Sequence, residues 1–490
     1  MTIVDKSSLV EVVESLQTSA AASAALTPFT RPDEDIDNSL QSLSINEVKE
    51  AIDIAQHFHV VDSFDVPRLT YDYHRKAFTK VSEPPSLLAS PREKGNMFCE
   101  RLNIIRQRLL RNESFCASSA QMSDNDTYLK ITPIKSLIGH DRGHFLLFGM
   151  LTQLEEGKIF LEDEDANIEL DLSNCLYGEG LFTDNSFVIA DGVYGEDHIF
   201  HVEEIGFPPP ESREVTDSVF PHVDFTGLPQ PLIENHILKL EETSHNDVFF
   251  VIVSDVWLDQ PKVMNALRRM FEGYDSTKVP LAFILMGNFT KRPFSFSSNE
   301  SAQYRDNFSI LGDMIASFPT LATHSYFVFV PGMHDPWGGN TLPQPPIPDS
   351  FTSRIKQKVR KAIFTTNPCR IRYCTQDIVI FREDLLSRLW RNVLLNPQLG
   401  TVSEPEKHLI RTIIDQGHLS PLAMSARPIY WAYDHALRLY PLPQTLILAD
   451  QCANYGATYG GTHCINPGSF PNSDFTWTTY FPASCTSEKW

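Results

Sequence analysis

Three short apolar runs constrain this 490-residue chain more than any other feature: "VFFVIV" (248–253), "LAFILM" (281–286) and "YFVFV" (326–330). Each ends in small or polar residues, and helical patterns separate them: "DQPKVMNALRRMFEGY" (259–274), with Pro261 near its start, and "YRDNFSILGDMIASF" (304–318). Strand–helix units of this length impose parallel pairing with right-handed crossovers. The segment 228–490 is therefore expected to be an α/β domain. Functional groups in such sheets collect just beyond the carboxyl ends of the strands. Here those ends are Ser254-Asp255, Gly287-Asn288 and Gly332-Met333-His334-Asp335. None of the runs approaches the roughly 20 residues that span a bilayer, so no membrane association is expected.

The remaining chain divides by texture. Residues 1–78 are expected to be a helical region. Ser44-Ile45-Asn46-Glu47 fits a capping box, and Val48, Ala51, Ile52, Ala55 and Phe58 then recur at helical spacing. "MTIVDKSSLVEVVESL" (1–16) lacks the basic start and unbroken apolar core of a signal peptide, which points to an intracellular protein. Residues 79–130 are expected to hold a Pro-containing linker and a basic helix, "MFCERLNIIRQRLLRN" (97–112). Its arginines are read as a solvated helix face in preference to a nucleic-acid contact. From 131 to 207, apolar and polar residues alternate in short runs separated by turn signals, the pattern of a small closed barrel of the OB type. Residues 208–227, "PPPESREVTDSVFPHVDFTG", read as a linker.

Charge tests what the barrel can bind. The whole chain carries 41 Lys+Arg against 62 Asp+Glu, a formal charge of −21. Between His144 and Gly206 there are one Lys (Lys158), no Arg and fifteen Asp or Glu. Phosphate binding needs cations to replace counterions, so this barrel is expected to dock protein. The densest basic stretch, "RIKQKVRK" (354–361), reads as an exposed helix end or an interface with an acidic partner. Eight cysteines without a CxxC pair are read as reduced thiols, not as a zinc site. A nucleophile elbow, a phosphate loop and H-E-x-x-H are all lacking.

The three strand ends resemble the calcineurin-like metallophosphoesterases. That family places D-x-H, G-D-x-x-D and G-N-H-D/E at these positions, and two divalent metals about 3.5–4 Å apart clamp a phosphoester there. The departures are specific. Asp255-Val256-Trp257 replaces an imidazole with an indole, which offers no lone pair. Asn288 replaces the bridging carboxylate with a neutral amide. Met333 supplies a thioether where hard cations need oxygen or nitrogen. Arg382 in "IVIFRED" and Ala449-Asp450-Gln451-Cys452 stand where further histidines are expected, while "INPGSF" (465–470) keeps the family's turn. The resemblance thus implies an inactive phosphoesterase scaffold with no metal and no cofactor, in which Asp255, Trp257, Asn288, Met333 and His334 are vestigial positions. Trp257 is expected to plug the vacated space. His334 is read as a structural histidine, with a single-metal ligand and a general acid as the other readings.

A barrel followed by a dismantled phosphoesterase is the plan of the B subunits of eukaryotic replicative DNA polymerases. "VFFVIVSDVWLDQPKVMNALRRMFEGY", "FTTNPCRIRYCTQDIVIFREDLLSRL", "PIYWAYDHALRLYPLP", "CINPGSFPNSDF" and "FDVPRLTYDYHRKAF" closely resemble the B subunits of DNA polymerase epsilon over residues 45–482. The N-terminal region is shorter than the family's. The resemblance implies a non-catalytic scaffold in nuclear DNA replication. Its barrel and phosphoesterase domains would grip the zinc-binding C-terminal domain of the catalytic subunit. Its N-terminus would reach the replicative helicase through the GINS complex, alongside the small histone-fold subunits, with DNA contacted only indirectly. The alternatives are a divergent metallophosphoesterase or 3′–5′ exonuclease, and a single-stranded DNA binder acting through the barrel.

Overall fold

A computed structural model describes residues 57–115, 129–139, 143–228, 232–336, 339–395 and 404–490. The capping box and most of the helical stripe expected at 44–58 lie outside these residues. The last apolar position of that stripe, Phe58, is not helical. It begins strand β1 (Phe58–Asp62), which pairs antiparallel with a strand of the C-terminal domain. A hairpin, β2 (Leu69–Asp72) and β3 (Ala77–Lys80), follows. The described part of 1–78 is thus β-structure, because Phe58 and Val61 bury themselves in a sheet more than three hundred residues away.

The basic helix is α1 (Pro91–Leu109), with Pro91 in its first turn and Arg106 and Arg108 in its last. The barrel comprises β4 (His144–Thr152), β5 (Ile159–Glu162), β6 (Asn167–Asp171), β7 (Leu176–Tyr177), β8 (Phe187–Tyr194) and β9 (Phe200–Gly206). Pairing runs β6-β5-β4-β8-β9, and β9 returns alongside β6 at Leu170 and Phe200, closing five strands on themselves. Leu147, Leu151, Leu161, Val188, Ala190 and Phe200 fill the interior. Closure leaves no long edge exposed.

Residues 208–227 are not a free linker. They contain α2 (Arg213–Val219), and Phe220 is buried against Phe78 and Tyr440. Helix α3 (Leu232–Ser244) leads into a two-sheet α/β unit. One sheet is built on parallel β10 (Phe250–Val253), β11 (Ala282–Met286), β12 (Tyr326–Val330) and β13 (Ala362–Phe364). Helices α4 (Pro261–Ser276), α5 (Ser298–Ala316), α6 (Pro319–His324) and α7 (Asp349–Lys358) connect these strands, as the sequence pattern requires. The other sheet joins β1 to β14 (Cys369–Tyr373), β15 (Gln376–Arg382), β16 (Thr445–Ala449), β17 (Tyr455–Tyr459) and β18 (Thr462–Asn466). Helices α8 (Leu385–Arg391) and α9 (Pro405–Gln416) lie between β15 and β16 in the chain. Strand β19 (Thr478–Phe481) runs antiparallel beside β10, and β20 (Thr486–Lys489) closes that sheet.

The two-residue period of the strands sorts side chains to two faces. Val251, Val253, Phe283, Leu285, Phe327 and Phe329 point into the core shared with Leu267, Phe271, Phe308 and Ile355 of the helices. Phe250 points the other way and meets Phe58 and Tyr373 of the second sheet at ring separations of 5.9 and 5.5 Å.

The arginines of α1 are not a solvated face. Arg101 is 6% exposed and its guanidinium is bidentate on Asp434. Arg108 is likewise buried and donates to the carbonyls of Asp415 and Pro208. Arg111 takes both oxygens of Glu211 at 2.8 Å. These cations bind the helix on the barrel's flank to the α/β unit. The barrel itself adds backbone bonds to α9. The Gln416 amide accepts from Phe187 N at 2.7 Å and donates to Phe187 O at 2.8 Å, standing in for a neighbouring strand. Leu181 N and Gly180 N donate to Thr412 Oγ1 and His408 Nδ1. The stretch 354–361 is an exposed helix end, as expected, and three of its cations form surface ion pairs: Arg354 with Asp306, Lys356 with Asp349 and Lys358 with Asp313.

Burial alone would raise the Asp434 carboxyl, but Arg101 and His418 hold it well below the usual carboxylate range. Its stabilising contribution is therefore present above the unfolded value near ~4 and lost as pH falls below it. Arg101→Ala, which strands a buried carboxylate, is expected to cost about 3–5 kcal/mol in urea unfolding at neutral pH. That difference should narrow in acid, and Arg101→Met with Asp434→Leu should recover most of the loss.

Candidate functional site at the strand ends

The three predicted strand ends do meet. Asp255 follows β10 in the left-handed region (φ 59°), a conformation that Asp tolerates better than most residues. Close approach of the loops depends on two glycines. A Cβ on Gly287 would stand 2.1 Å from Asp335 Oδ2, and one on Gly332 would stand 2.5 Å from Asn288 Oδ1. Asn288 is buried and crosslinks the loops, its Oδ1 accepting from His334 N at 2.9 Å while its backbone N–H faces Asp255 Oδ1 at 3.3 Å.

The charge at the centre comes from a residue of the second sheet. Arg382 ends β15 and is 2% exposed. Its guanidinium donates to Asp255 Oδ1 at 2.7 Å, Gly287 O at 2.7 Å, Asp384 Oδ1 at 2.8 Å and Ala449 O at 3.1 Å. Two carboxylates and two carbonyls thus surround one fixed cation. Burial opposes its charge, but Asp255 and Asp384 hold its pKa above the ordinary arginine value. An outer ring repeats the theme: Glu383, fully buried, lies 2.5 Å from Arg427 and 2.9 Å from Arg388.

Asp335 serves the backbone. It accepts from Phe289 N at 2.9 Å, Gly332 N at 2.7 Å and Tyr304 Oη at 3.0 Å, tying β11 and β12 to α5. Burial pushes its pKa up to about 6 in spite of those donors. The remaining predicted positions are dispersed. Trp257 does not join the guanidinium. It lies half-buried against the apolar core with Lys291 Nζ 5.8 Å from its ring centroid. The space beside Asp255 is taken by Arg382 instead. Met333 Sδ touches Arg388 at 3.2 Å. His334 is half-buried, and its Nδ1 has no hydrogen-bond partner among the described residues.

Two divalent cations do not fit this donor set. Asp255 Oδ2 is buried without a hydrogen bond, but its other oxygen is bound to a guanidinium. The bridging position holds an amide already engaged with the His334 backbone. A metal beside Asp255 would face a fixed positive charge a few ångströms away. No group of three or more His, Cys, Asp or Glu with metal-holding geometry occurs among the described residues. The sequence singled out Arg382 by position only; Asp335, Asp384 and Glu383 were missed as structural partners. The available signal was a charged triplet, Arg382-Glu383-Asp384, closing an otherwise apolar strand.

The barrel offers little to phosphate. Lys158 is paired with Glu169 at 2.8 Å and Glu155 at 3.4 Å.

Two family models match the chain: the B-subunit family shared by DNA polymerases alpha and epsilon over residues 250–457, and the OB-fold domain of DNA polymerase epsilon subunit 2-like proteins over 91–209. The human protein named DNA polymerase epsilon subunit 2 is 40% identical over 465 residues, covering 92% of this chain and 87% of its own. The Arabidopsis thaliana protein named as the B subunit of DNA polymerase epsilon is 38% identical, covering 90% and 84%. The chain belongs to the B-subunit family of DNA polymerase epsilon. The OB-domain match begins at residue 91, so it takes in α1 as well as the barrel. An archaeal phosphodiesterase structure shares 9% identity, with a TM-score of 0.26 over 49% of this chain and 98% of its own, too little to carry an argument.

Two outcomes check the site. Arg382→Ala should cost about 3–5 kcal/mol, because Asp255 is left charged and buried, and Arg382→Met with Asp255→Asn should recover much of it in urea unfolding. The second concerns Asp335. A carboxyl raised from about 4 to about 6 contributes stability that is complete below ~4 and lost as pH rises through 6. Tyr304→Phe removes a donor that the ionised form needs most. Its cost should reach about 1.5–3 kcal/mol at pH 8 and shrink by pH 5; a pH-independent cost would contradict this assignment.

Proposed function

We propose that the chain is the non-catalytic accessory subunit of DNA polymerase epsilon in nuclear DNA replication, resting on a calcineurin-like phosphoesterase scaffold whose metal site has been dismantled. The observation that carries the reading is the guanidinium of Arg382 on Asp255, at the strand ends where the phosphoesterase family holds its metals. A phosphoesterase needs mobile Lewis-acid charge and an activated water. A guanidinium with its donors committed to protein oxygens supplies neither.

The functional surface is then the exterior. Its occupant is the catalytic subunit, held through the zinc-binding C-terminal domain by the barrel and the α/β unit together. The ionic joint between these units supports that role, since a partner gripping both needs them in fixed relation. The route to the replicative helicase through GINS belongs to the N-terminal region, and the small histone-fold subunits assemble in the same complex. DNA is contacted through the catalytic subunit, consistent with the acidic barrel.

Purified chain assayed with manganese on single-stranded DNA and on p-nitrophenyl phosphate is expected to give no turnover. Turnover abolished by both Asp255→Ala and His334→Ala would overturn the scaffold reading. In cells, the chain should co-purify with the polymerase epsilon catalytic subunit with or without residues 1–53, a deletion that spares β1 and the β2–β3 hairpin. Recovery of GINS should fall when those residues are removed.

A further inference from the structure

A second recognition surface lies away from the strand ends, on the outer face of α4. Phe249, Met270, Tyr274, Trp477, Phe481 and Trp490 line an open groove of about 450 Å³. Its apolar wall is held in place. Trp477 N donates to Trp490 O at 3.0 Å and Trp490 N donates to Trp477 O at 2.9 Å, while Trp477 Nε1 donates to Tyr274 Oη at 2.9 Å. Trp490 nevertheless keeps 60% of its surface exposed. An indole fixed by its backbone and left open to solvent is a feature of contact surfaces.

Charge selects the occupant. Arg269 and Lys278 line the groove, both exposed, and no Asp or Glu side chain lines it. Lys278 Nζ lies 5.6 Å from the Phe249 ring centroid, and among the described residues neither cation is in an ion pair with an acid. In the basic stretch 354–361, by contrast, Arg354, Lys356 and Lys358 each pair with an acid of the same domain. In a chain of net charge −21, two unpaired cations flanking an aromatic groove create a local positive field with an apolar floor. We propose that this groove is a docking site for a partner-protein segment that presents a bulky apolar side chain flanked by carboxylates. The apolar side chain would pack between Trp477, Tyr274 and Trp490, and its acidic neighbours would pair with Arg269 and Lys278. This surface is independent of the role assigned to Arg382.

Gly273 makes the proposal testable without damage to the fold. It lines the groove, and a Cβ there meets nothing within 4 Å, so a large side chain enters the groove and not the core. The probes are three fluorescein-labelled hexapeptides: Asp-Glu-Leu-Phe-Glu-Asp, its Lys-Lys-Leu-Phe-Lys-Lys counterpart, and Asp-Glu-Ser-Ser-Glu-Asp. Anisotropy with the full chain should show saturable binding of the first. The other two should bind at least tenfold more weakly, and binding of the first should weaken with salt. Gly273→Trp should reduce binding of the first peptide at least tenfold with the melting temperature preserved or raised. Arg269→Glu with Lys278→Glu should shift preference to the basic peptide. Equal binding of all three, binding untouched by both variants, or no binding would overturn the proposal. So would a dimer in sedimentation that Gly273→Trp dissolves, which would make the groove a self-association surface.

Discussion

A buried cation needs buried anions, and the strand ends are organised by that requirement. Arg382 reaches from one sheet across to Asp255 and Gly287 O of the other, and back to Asp384 and Ala449 O of its own side. Asp255 and Arg382, each costly to bury alone, solvate one another, and the partly exposed Asp384 adds a second carboxylate. The loops after β10, β11 and β15 have a fixed relation because the same guanidinium is bonded to all of them. The Asn288 amide, which cannot bridge metals, is suited to a neighbourhood whose positive charge is already supplied: it accepts from a backbone N–H instead.

The same logic recurs at the joint between the barrel and the α/β unit. Arg101 and Arg108 are buried, and each is matched to carboxylate or carbonyl oxygen across the boundary. Hydrophobic contact alone is tolerant of sliding, whereas a bidentate guanidinium with a single partner fixes orientation. Gln416 adds a pair of backbone bonds to Phe187, so the barrel strand β8 begins against a side chain that behaves like a strand. The barrel and the α/β unit are thereby held in one fixed relation.

Local pattern in the sequence carried the barrel and the parallel strands well. The alternation from His144 onward, and the runs at 250, 282 and 326, sit where strand periodicity places them. Interactions with distant partners were not legible. Phe58 fits the stripe of a helix, but its environment is a sheet completed by Tyr373, and no local window contains that strand. The arginines of α1 have the spacing of a solvated face, and only the fold brings Asp434 and Asp415 to them. The linker at 208–227 has the composition of a loop, yet Glu211 is fixed by Arg111 and Phe220 by Phe78. At the site, the sequence named the three strand ends that meet. It did not say what would neutralise Asp255, because Arg382 is 127 residues away in the chain.

Metal content tests the central claim most directly. Full-length protein incubated with manganese or zinc, passed through a desalting column and analysed by plasma mass spectrometry should retain no stoichiometric metal at the strand ends. Arg382→Ala should not change that, because Asn288 and Met333 still cannot bridge or ligate hard cations. Two metal ions per chain, lost on Asp255→Ala, would contradict an account in which arginine has taken the place of the metals.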